Sequence, residues 1–351
     1  MELSRVLVAI LDFFKFLYFL FTECFPKPFR LLDLPSLAHD VIFSEMSTEE
    51  LYRLSKCSRR SRYDVKMFTR RRKYNFNIIA DKSYCSFEIS NRVGRKTFYR
   101  TYIPMFNGKS LDDDTCSEVF WLRTKEKIAY FLDVFTKKVT LLTFNDDTNV
   151  TKMTELLKEI MVLPVDCVRY EAWGIDDKMY KYLLREFKDA KKLNVRASPS
   201  ARFRFDDMEP FTGDDIWIKN VDWLTVDHLT RCFINVERVF LGFEDGRCLN
   251  VLVFNQFLNE WRNGLRVGEL NLEWKCDINL QSILKNIPTT EVKRVKVESW
   301  KRVFDDRKCF LIRQKVSGVE AVVCYRYYSS LRTHCLCFTT NFRLLKEDES
   351  Y

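Results

Sequence analysis

The feature that most constrains the fold is a pair of apolar residues, two positions apart, that recurs every 23 to 31 residues. Alternation of this kind is typical of a short strand with one buried face. A strand that returns at such intervals predicts a repeat protein, in which each unit buries its apolar face against the next. The pairs are Val139/Leu141, Val168/Tyr170, Leu193/Val195, Ile216/Ile218, Val239/Leu241, Leu270/Leu272 and Val295/Val297.

Most intervals between these pairs also contain an amphipathic helix. Apolar residues at i, i+3, i+4 and i+7 begin at Met153, Tyr180, Phe254 and Leu280. The interval that contains 203–211 lacks this pattern and is predicted to be an irregular turn. One strand and one helix per unit predicts parallel strands with helical crossovers, a leucine-rich-repeat-like solenoid in an α/β protein.

Extended segments flank this repeat on both sides. Residues 74–118 contain three of them and are predicted to form a β connector. Past Lys308 the alternation is that of antiparallel strands, which would form a β cap over the end of the solenoid.

Three short helices are predicted between residues 31 and 68. Leu34-Pro35 begins the first, because proline is well tolerated in the first turn of a helix. Ser47 and Glu50 have the spacing of a capping box, which begins the second helix. The third runs through an arginine-rich stretch that ends near Phe68.

The net charge of +9 is confined to this region. Between Arg53 and Lys73 there are ten basic residues and one acid, Asp64, so the rest of the chain is neutral. We interpret the stretch as a solvated helix face, and we expect no nucleic-acid partner, because no second basic patch accompanies it.

The cysteines indicate the compartment. Twelve are scattered through the chain without a Cys-x-x-Cys pair, as expected for reduced thiols in an intracellular protein of the cytoplasm or nucleus. Residues 6–21 are strongly apolar but are interrupted by Asp12 and Lys15, and they are shorter than a membrane-spanning helix. A helix packed on the protein or on a partner is favoured. An interfacial or signal-anchor segment and an unstructured extension are the alternatives, so membrane association is disfavoured but open.

No enzyme chemistry is predicted. The three histidines, His39, His228 and His334, are too scattered for a catalytic triad, and His228 is predicted to lie on a helix surface. Ile103 stands where a phosphate-binding loop ending at Gly108-Lys109-Ser110 would need glycine. His334 with Cys324, Cys335 and Cys337 lacks the second ligand pair of a zinc site. We therefore expect no catalytic residue, no metal and no cofactor.

The helical segment resembles an F-box. The resemblance rests on Leu34-Pro35, the apolar first helix, the serine-led turn, and the run from Leu51 and Leu54 to Cys57-Ser58-Arg59-Arg60-Ser61. Ser61 stands where many F-boxes have tryptophan, as is common in a worm-expanded branch of the family. The resemblance implies docking onto the Skp-type adaptor of a cullin–RING ubiquitin ligase. Its adaptor-binding residues would be Leu34, Pro35, Leu37, Val41, Ile42, Leu51 and Leu54.

A second resemblance lies in the repeat region. Asn255-Gln256-Phe257-Leu258-Asn259-Glu260-Trp261 is similar to the signature of the F-box-associated domain, type 2, and 224–229 resembles the segment that precedes it. The presumed role of that family is to capture a target protein for ubiquitination.

The face of the strands opposite the apolar pairs is the predicted target-binding surface. Trp217 and Phe240, flanked by Arg196 and Lys219, have the composition of a binding hot spot. Packing of Trp217 against a neighbouring loop is the alternative. The predicted face consists of Arg169, Glu171, Asn194, Arg196, Trp217, Lys219, Phe240, Asn271, Glu273, Lys296 and Glu298.

Together these features predict a substrate receptor of a Skp–cullin–F-box ubiquitin ligase that binds an unknown target protein. The alternative is a repeat-type scaffold without a ligase role, for which membrane association through the N-terminal helix stays open. The predicted regions are an N-terminal helix (1–27), the F-box (28–73), the β connector (74–118), the F-box-associated domain (119–300) and the cap with its tail (301–351).

Overall fold

Three short helices begin the part of the chain that the computed structural model describes. They are α1 (Ser36–Glu45), α2 (Thr48–Cys57) and α3 (Arg59–Arg70). The structure describes residues 33–91, 98–104, 114–145, 149–160, 162–243, 251–265, 267–275, 279–298, 302–304, 308–328 and 332–345. The predicted apolar helix at 6–21 lies outside these ranges.

Serine caps determine where α2 and α3 begin. Ser47 Oγ accepts a hydrogen bond from the amide of Glu50, whose carboxylate accepts from the Ser47 amide at 2.7 Å, so the predicted capping box is confirmed. Ser58 and Ser61 form the equivalent pair at the start of α3. Ser61 is buried, so it has a structural role at the start of α3.

The chain divides into two compact units. The first comprises Met1–Tyr74, Ile89–Tyr99 and Asp133–Thr136, and the second comprises the remainder. The described core of the first unit contains Phe43, Leu51, Val65 and Phe68. The rings of Phe43 and Phe68 pack edge to face with their centroids 5.5 Å apart.

The first unit also contains an ion-pair cluster. Arg62 and Lys66 on α3 both bind the carboxylate of Asp133. Burial acts to raise the pKa of Asp133, but hydrogen bonds from Lys66 and Arg62 outweigh it, and the pKa lies below its ordinary value.

A mixed sheet of thirteen strands contains most of the strands that the structure describes. Its order is β10-β13-β14-β15-β9-β8-β7-β6-β5-β4-β1-β2-β3. The strands are β1 (Tyr74–Ala80), β2 (Tyr84–Asn91), β3 (Phe98–Pro104), β4 (Leu141–Asn145), β5 (Cys167–Glu171), β6 (Lys192–Arg196), β7 (Asp215–Lys219), β8 (Arg238–Gly242), β9 (Glu269–Trp274), β10 (Thr290–Val292), β13 (Cys309–Arg313), β14 (Glu320–Tyr328) and β15 (Thr333–Thr339). The three extended segments predicted in 74–118 are therefore confirmed as β1 to β3, but they do not form a separate connector, because β1 pairs with β4 in the large sheet.

Seven neighbouring strands, β1 and β4 to β9, run parallel. Helices α4 (Asp114–Val134), α5 (Val150–Glu159), α6 (Asp177–Glu186), α7 (Val251–Arg262) and the short α8 (Leu280–Ile283) lie between strands in sequence. The amphipathic periodicity predicted α5, α6 and α7 correctly, and the fourth periodic segment forms only the single turn α8. As predicted, no helix forms within 203–211.

The register of the parallel strands aligns their buried residues in two rows. One row consists of Ile78, Leu142, Val168, Leu193, Ile216, Val239 and Leu270. The next consists of Ala80, Phe144, Tyr170, Val195, Ile218, Leu241 and Leu272. All fourteen residues are buried, so this face of the sheet lies in the core.

Two of the predicted pairs need correction. The pair Val139/Leu141 is out of register, because Val139 precedes β4 and the inward residues of that strand are Leu142 and Phe144. The segment 139–144 has apolar residues at both parities, so alternation alone could not distinguish the two registers. Val295 and Val297 do not belong to the parallel rows at all.

Val295 and Val297 lie instead in a separate three-stranded antiparallel sheet. It consists of β12 (Arg302–Phe304), β11 (Val295–Val297) and β16 (Phe342–Leu344). Val295, Val297 and Phe304 form one buried cluster with residues of β13 to β15. The small sheet therefore covers one face of the antiparallel end of the large sheet.

Residues 199–214 occupy the place that a crossover helix would take. Phe203, Phe205 and Phe211 are buried, and Phe205 packs on Trp223 with ring centroids 5.4 Å apart. Three ion pairs join this segment to α6 and to the turn after it: Lys181–Asp206, Arg185–Asp207 and Lys188–Glu209.

His228 is buried under this segment, which contradicts the prediction that it lies on a helix surface. Its Nε2 is 2.5 Å from the carbonyl oxygen of Phe205, and its Nδ1 is 2.7 Å from Thr225 Oγ1. Burial lowers the pKa of His228, although the Phe205 carbonyl, Asp227 and Asp206 partly oppose this effect.

We predict that Leu142→Ala destabilises the fold by about 2–5 kcal/mol, because it removes a fully buried side chain. Leu141→Ala, one residue away on the half-exposed face, should cost less than about 1.5 kcal/mol. Urea unfolding of the two variants measures this difference. A larger loss of unfolding free energy for Leu141→Ala than for Leu142→Ala would instead support the register predicted from Val139 and Leu141, in which Leu141 faces the core.

We also predict that His228 makes the stability of the protein depend on pH. Its pKa is lower in the folded than in the unfolded chain, so its stabilising contribution is complete above the unfolded pKa of about 6.5 and is lost as the pH falls further. His228→Asn should show a weaker loss of unfolding free energy on acidification than the wild type, measured by urea unfolding at several pH values. Identical pH profiles for the wild type and His228→Asn would contradict the assignment.

Candidate protein-binding surfaces

An aromatic pair lies at the centre of the half-exposed face of the parallel strands. Trp217 of β7 and Phe240 of β8 are register partners with ring centroids 4.4 Å apart. Both side chains are half-buried. The residues that alternate with them along each strand point to the opposite face of the sheet, which lies in the core. The predicted pair is thus brought together by the sheet register. Its binding role stays a prediction.

Charged side chains flank this pair on one side, towards the carboxyl ends of the strands. The guanidinium of Arg196 lies 5.0 Å from the centre of the Trp217 ring, an arrangement that favours a cation–π interaction. Arg196 also pairs with Glu171 of β5, with an N–O distance of 3.4 Å. Lys219 follows Trp217 on the same face, where its side chain lies near Gly242.

A second charged row lies on the other side of the pair. Asp215 is placed between two basic residues, 3.3 Å from Arg238 and 3.9 Å from Lys192. These ion pairs are partly exposed, so each contributes little to stability.

Several polar atoms of this face are buried without a hydrogen-bond partner in the part of the chain that the structure describes. Four are donors: Arg169 Nε, Arg196 Nε, Arg238 Nε and Trp217 Nε1. Two are acceptors: Asn194 Oδ1 and Asn271 Oδ1. Buried polar atoms are rarely left unpaired, so their concentration on one face requires an explanation.

The half-exposed face ends at β9. Asn271, the register partner of Phe240, is only 3% exposed, and Cys337 of β15 beyond it is fully buried. The predicted surface must therefore be reduced, since Asn271 is covered. Lys296 lies on β11 of the small sheet and Glu298 follows that strand, so both lie outside the sheet that carries Trp217.

Trp173 is an exposed aromatic residue that is not among the predicted binding residues. It lies two residues beyond Glu171, the last residue of β5, and is 93% exposed. Its position between a strand and the start of α6, next to Gly174, was the available signal, because loop residues at strand ends often form binding sites.

The three-helix segment has an exposed apolar surface of its own. Leu37 on α1 is 76% exposed and Tyr63 on α3 is 61% exposed. Of the predicted adaptor-binding residues, Pro35 is also exposed, and Leu34, Val41, Ile42 and Leu54 are half-buried. Leu51 is the exception. It is 1% exposed, so it belongs to the core of the first unit, and its predicted contact with a partner needs correction.

Among the described residues, the cavities and clusters of titratable groups do not form a recognisable catalytic arrangement. A cavity of about 460 Å³ lies beside Tyr84 and Tyr102, where Arg100 is already engaged by Ser86 and Glu88. His334 Nδ1 is 2.5 Å from the hydroxyl of Tyr325. No group of three or more potential metal ligands occurs in the ranges described above.

No family model and no curated protein matches the sequence. Among the helices that the structure describes, none combines the length and apolar character needed to cross a membrane.

We predict an energetic coupling between Trp217 and Phe240 in the isolated protein. A double-mutant cycle with Trp217→Ala and Phe240→Ala should give a coupling free energy of about 0.5–1.5 kcal/mol, as expected for rings in direct contact. The control cycle pairs Trp217 with Tyr327 of β14, which is 48% exposed and lies four strands away in the sheet, and should give a value near zero. Equal coupling in both cycles would argue against a specific aromatic contact.

Proposed function

We propose that this protein is the substrate-recognition subunit of a Skp–cullin–F-box ubiquitin ligase. In this proposal, α1 to α3 form an F-box that binds the Skp-type adaptor and, through it, a cullin. The parallel strands form a leucine-rich-repeat-like F-box-associated domain, and the antiparallel strands at its end form the cap. The chain acts by binding two proteins, without catalysis or a cofactor of its own, in the cytoplasm or the nucleus.

The single observation that best supports the adaptor contact is the exposure of Leu37. A leucine that is 76% exposed on α1 gains little from folding of the chain alone. Phe43 on the same helix is 1% exposed and Ile42 is half-buried, so α1 has one side in the core and apolar residues outside it. A partner helix or groove that covers Leu37 would remove this apolar area from water.

The exposed apolar residues on α3 support the same contact. Tyr63 and Met67 are four positions apart and therefore lie on one face of the helix, and they are 61% and 38% exposed. Single exposed apolar residues are ordinary on a protein surface. Three within a segment of about forty residues are more typical of a module that binds a partner.

The target contact is supported by the surface around Trp217 and Phe240. Tryptophan and arginine are enriched in the energetically dominant residues of protein interfaces, and Arg196 is stacked on Trp217. We infer that this face, with Lys219, binds the target protein. A chain with one docking surface in each of two units has the organisation that a substrate receptor requires.

We predict that Leu37→Lys abolishes binding to a Skp-type adaptor without unfolding the protein. A charge on an apolar contact surface costs desolvation free energy, so recovery of the adaptor should fall at least about tenfold. The measurement is co-purification of the full chain with the adaptor, with circular dichroism of each variant as the folding check. Leu122→Lys is the matched control, because Leu122 is also an exposed helical leucine, 57% exposed on α4.

Two outcomes would contradict this proposal in different ways. Retention of the adaptor by folded Leu37→Lys would show that α1 is not the contact surface. Absence of adaptor binding by folded wild-type protein would remove the ubiquitin-ligase role and leave the repeat-type scaffold as the function.

A further inference from the structure

We propose that the face around Trp217 and Phe240 binds an acidic peptide segment that carries one large apolar side chain. The inference rests on the proposed function, because it specifies the chemistry of the target that the receptor captures. The apolar side chain would contact the aromatic pair, and the acidic residues beside it would contact Lys219 and the neighbouring arginines.

The charge of the face favours an acidic occupant. On β5 to β8, the residues that share the parity of Trp217 and Phe240 include five basic side chains but only two carboxylates. The basic residues are Arg169, Lys192, Arg196, Lys219 and Arg238, and the acids are Glu171 and Asp215. Each carboxylate already contacts two of the basic residues. On β5 to β8 the face therefore has a surplus of positive charge, whereas the adjoining β9 contributes the half-buried Glu273 and the buried Glu269.

Lys219 is the basic residue most available to a partner. The other four basic residues each contact Glu171 or Asp215, whereas Lys219 forms no ion pair with any residue in the described ranges. It follows Trp217 by two positions and therefore lies on the same face, beside the aromatic pair. A carboxylate on the partner, next to its apolar side chain, would thus meet an ammonium group.

The polar atoms without a hydrogen-bond partner among the described residues also favour an acidic occupant, because most of them are donors. Four of the five on β5 to β8 are donors, three of them on arginines. A donor that is sheltered from water without an acceptor destabilises the free protein, and a carboxylate oxygen that reaches it would relieve that cost. Charged acceptors form the stronger hydrogen bonds with guanidinium groups.

The aromatic pair supplies the site for the apolar side chain. The rings of Trp217 and Phe240 are adjacent and half-exposed, and the Arg196 guanidinium stacks on the indole. A ring held between two neighbours loses little conformational freedom when a partner binds, which is typical of interface hot spots. An aromatic or long aliphatic side chain is the complementary group.

A peptide fits this face better than a nucleic acid. Glu171 and Asp215 lie on opposite sides of the aromatic pair, so a continuous line of phosphates across the strands would meet a carboxylate in both rows. A peptide can place its carboxylates only beside Lys219 and the arginines. Nucleic-acid sites usually have an uninterrupted basic surface.

The test is selection of short random peptides, displayed on phage, against the immobilised full-length protein. The wild-type pool should become enriched in sequences that combine acidic residues with one aromatic or large aliphatic residue. Lys219→Glu should lose this enrichment, because it replaces the available ammonium with a carboxylate. Lys137→Glu is the matched control, since it makes the same charge change at an exposed position in the turn between α4 and β4, and it should select the same peptides as the wild type.

Fluorescence anisotropy of the most enriched peptide then quantifies the contact. Trp217→Ala and Lys219→Glu should each weaken binding about tenfold or more, and added salt should weaken it further. Circular dichroism verifies that each variant is folded. Lys219 lies beside the aromatic pair and is not part of it. Lys219→Glu can therefore test the contact even if Trp217→Ala fails to fold.

Three results would overturn the inference: a wild-type pool without acidic enrichment, peptide binding unchanged in folded Lys219→Glu, or displacement of the peptide by oligothymidylate at lower concentration than by the unlabelled peptide. Co-purification of the adaptor with the same variants keeps this outcome separate from that of the proposed function. The adaptor should be retained by Lys219→Glu. If the wild-type protein does not bind the adaptor but still selects acidic peptides, the ligase role is contradicted and the peptide-binding site is supported.

Discussion

The lateral pairing of the parallel strands is the constraint on which the rest of the structure depends. It aligns Leu142, Val168, Leu193, Ile216, Val239 and Leu270 in one buried row. Because side chains alternate between the two faces of a strand, a slip of one residue would expose a whole strand's apolar set. The same pairing places every intervening residue on the other face. The contact between Trp217 and Phe240 is therefore a consequence of the core register rather than an independent feature.

The sequence predicts this arrangement correctly in strands where apolar and polar residues alternate strictly. The pair Val168/Tyr170 has Arg169 between its members, and Leu193/Val195 has Asn194, so only one register buries the apolar set. Near β4 this distinction disappears, since both Leu141 and Leu142 are apolar. There the register is decided by pairing with β1 and β5, which are distant in sequence.

Non-local packing also explains the other errors. Val295 and Val297 alternate like a repeat strand, but their pairing partners are β12 and β16, and alternation carries no information about the partner. His228 is buried because Phe205 lies over it, a contact that spans 23 residues. In α2, Leu51 and Leu54 share the periodicity of an amphipathic helix. That periodicity could not show that Leu51 belongs to the core while Leu54 is half-buried.

One transverse row of the large sheet shows why the surface around Trp217 is better explained by binding than by ordinary exposure. Read across the strands from Trp217, the row continues through Phe240, Asn271, Cys337 and Cys324. Where the small sheet covers it, the row consists of small residues that pack against Val295 and Val297. Where no described residue covers it, the row contains two large aromatic rings flanked by charges. On a face that only had to meet water, two large rings would leave apolar area in contact with solvent. Within one continuous row, size and charge thus change at the point where intramolecular cover ends, which is the pattern expected if another molecule completes the packing.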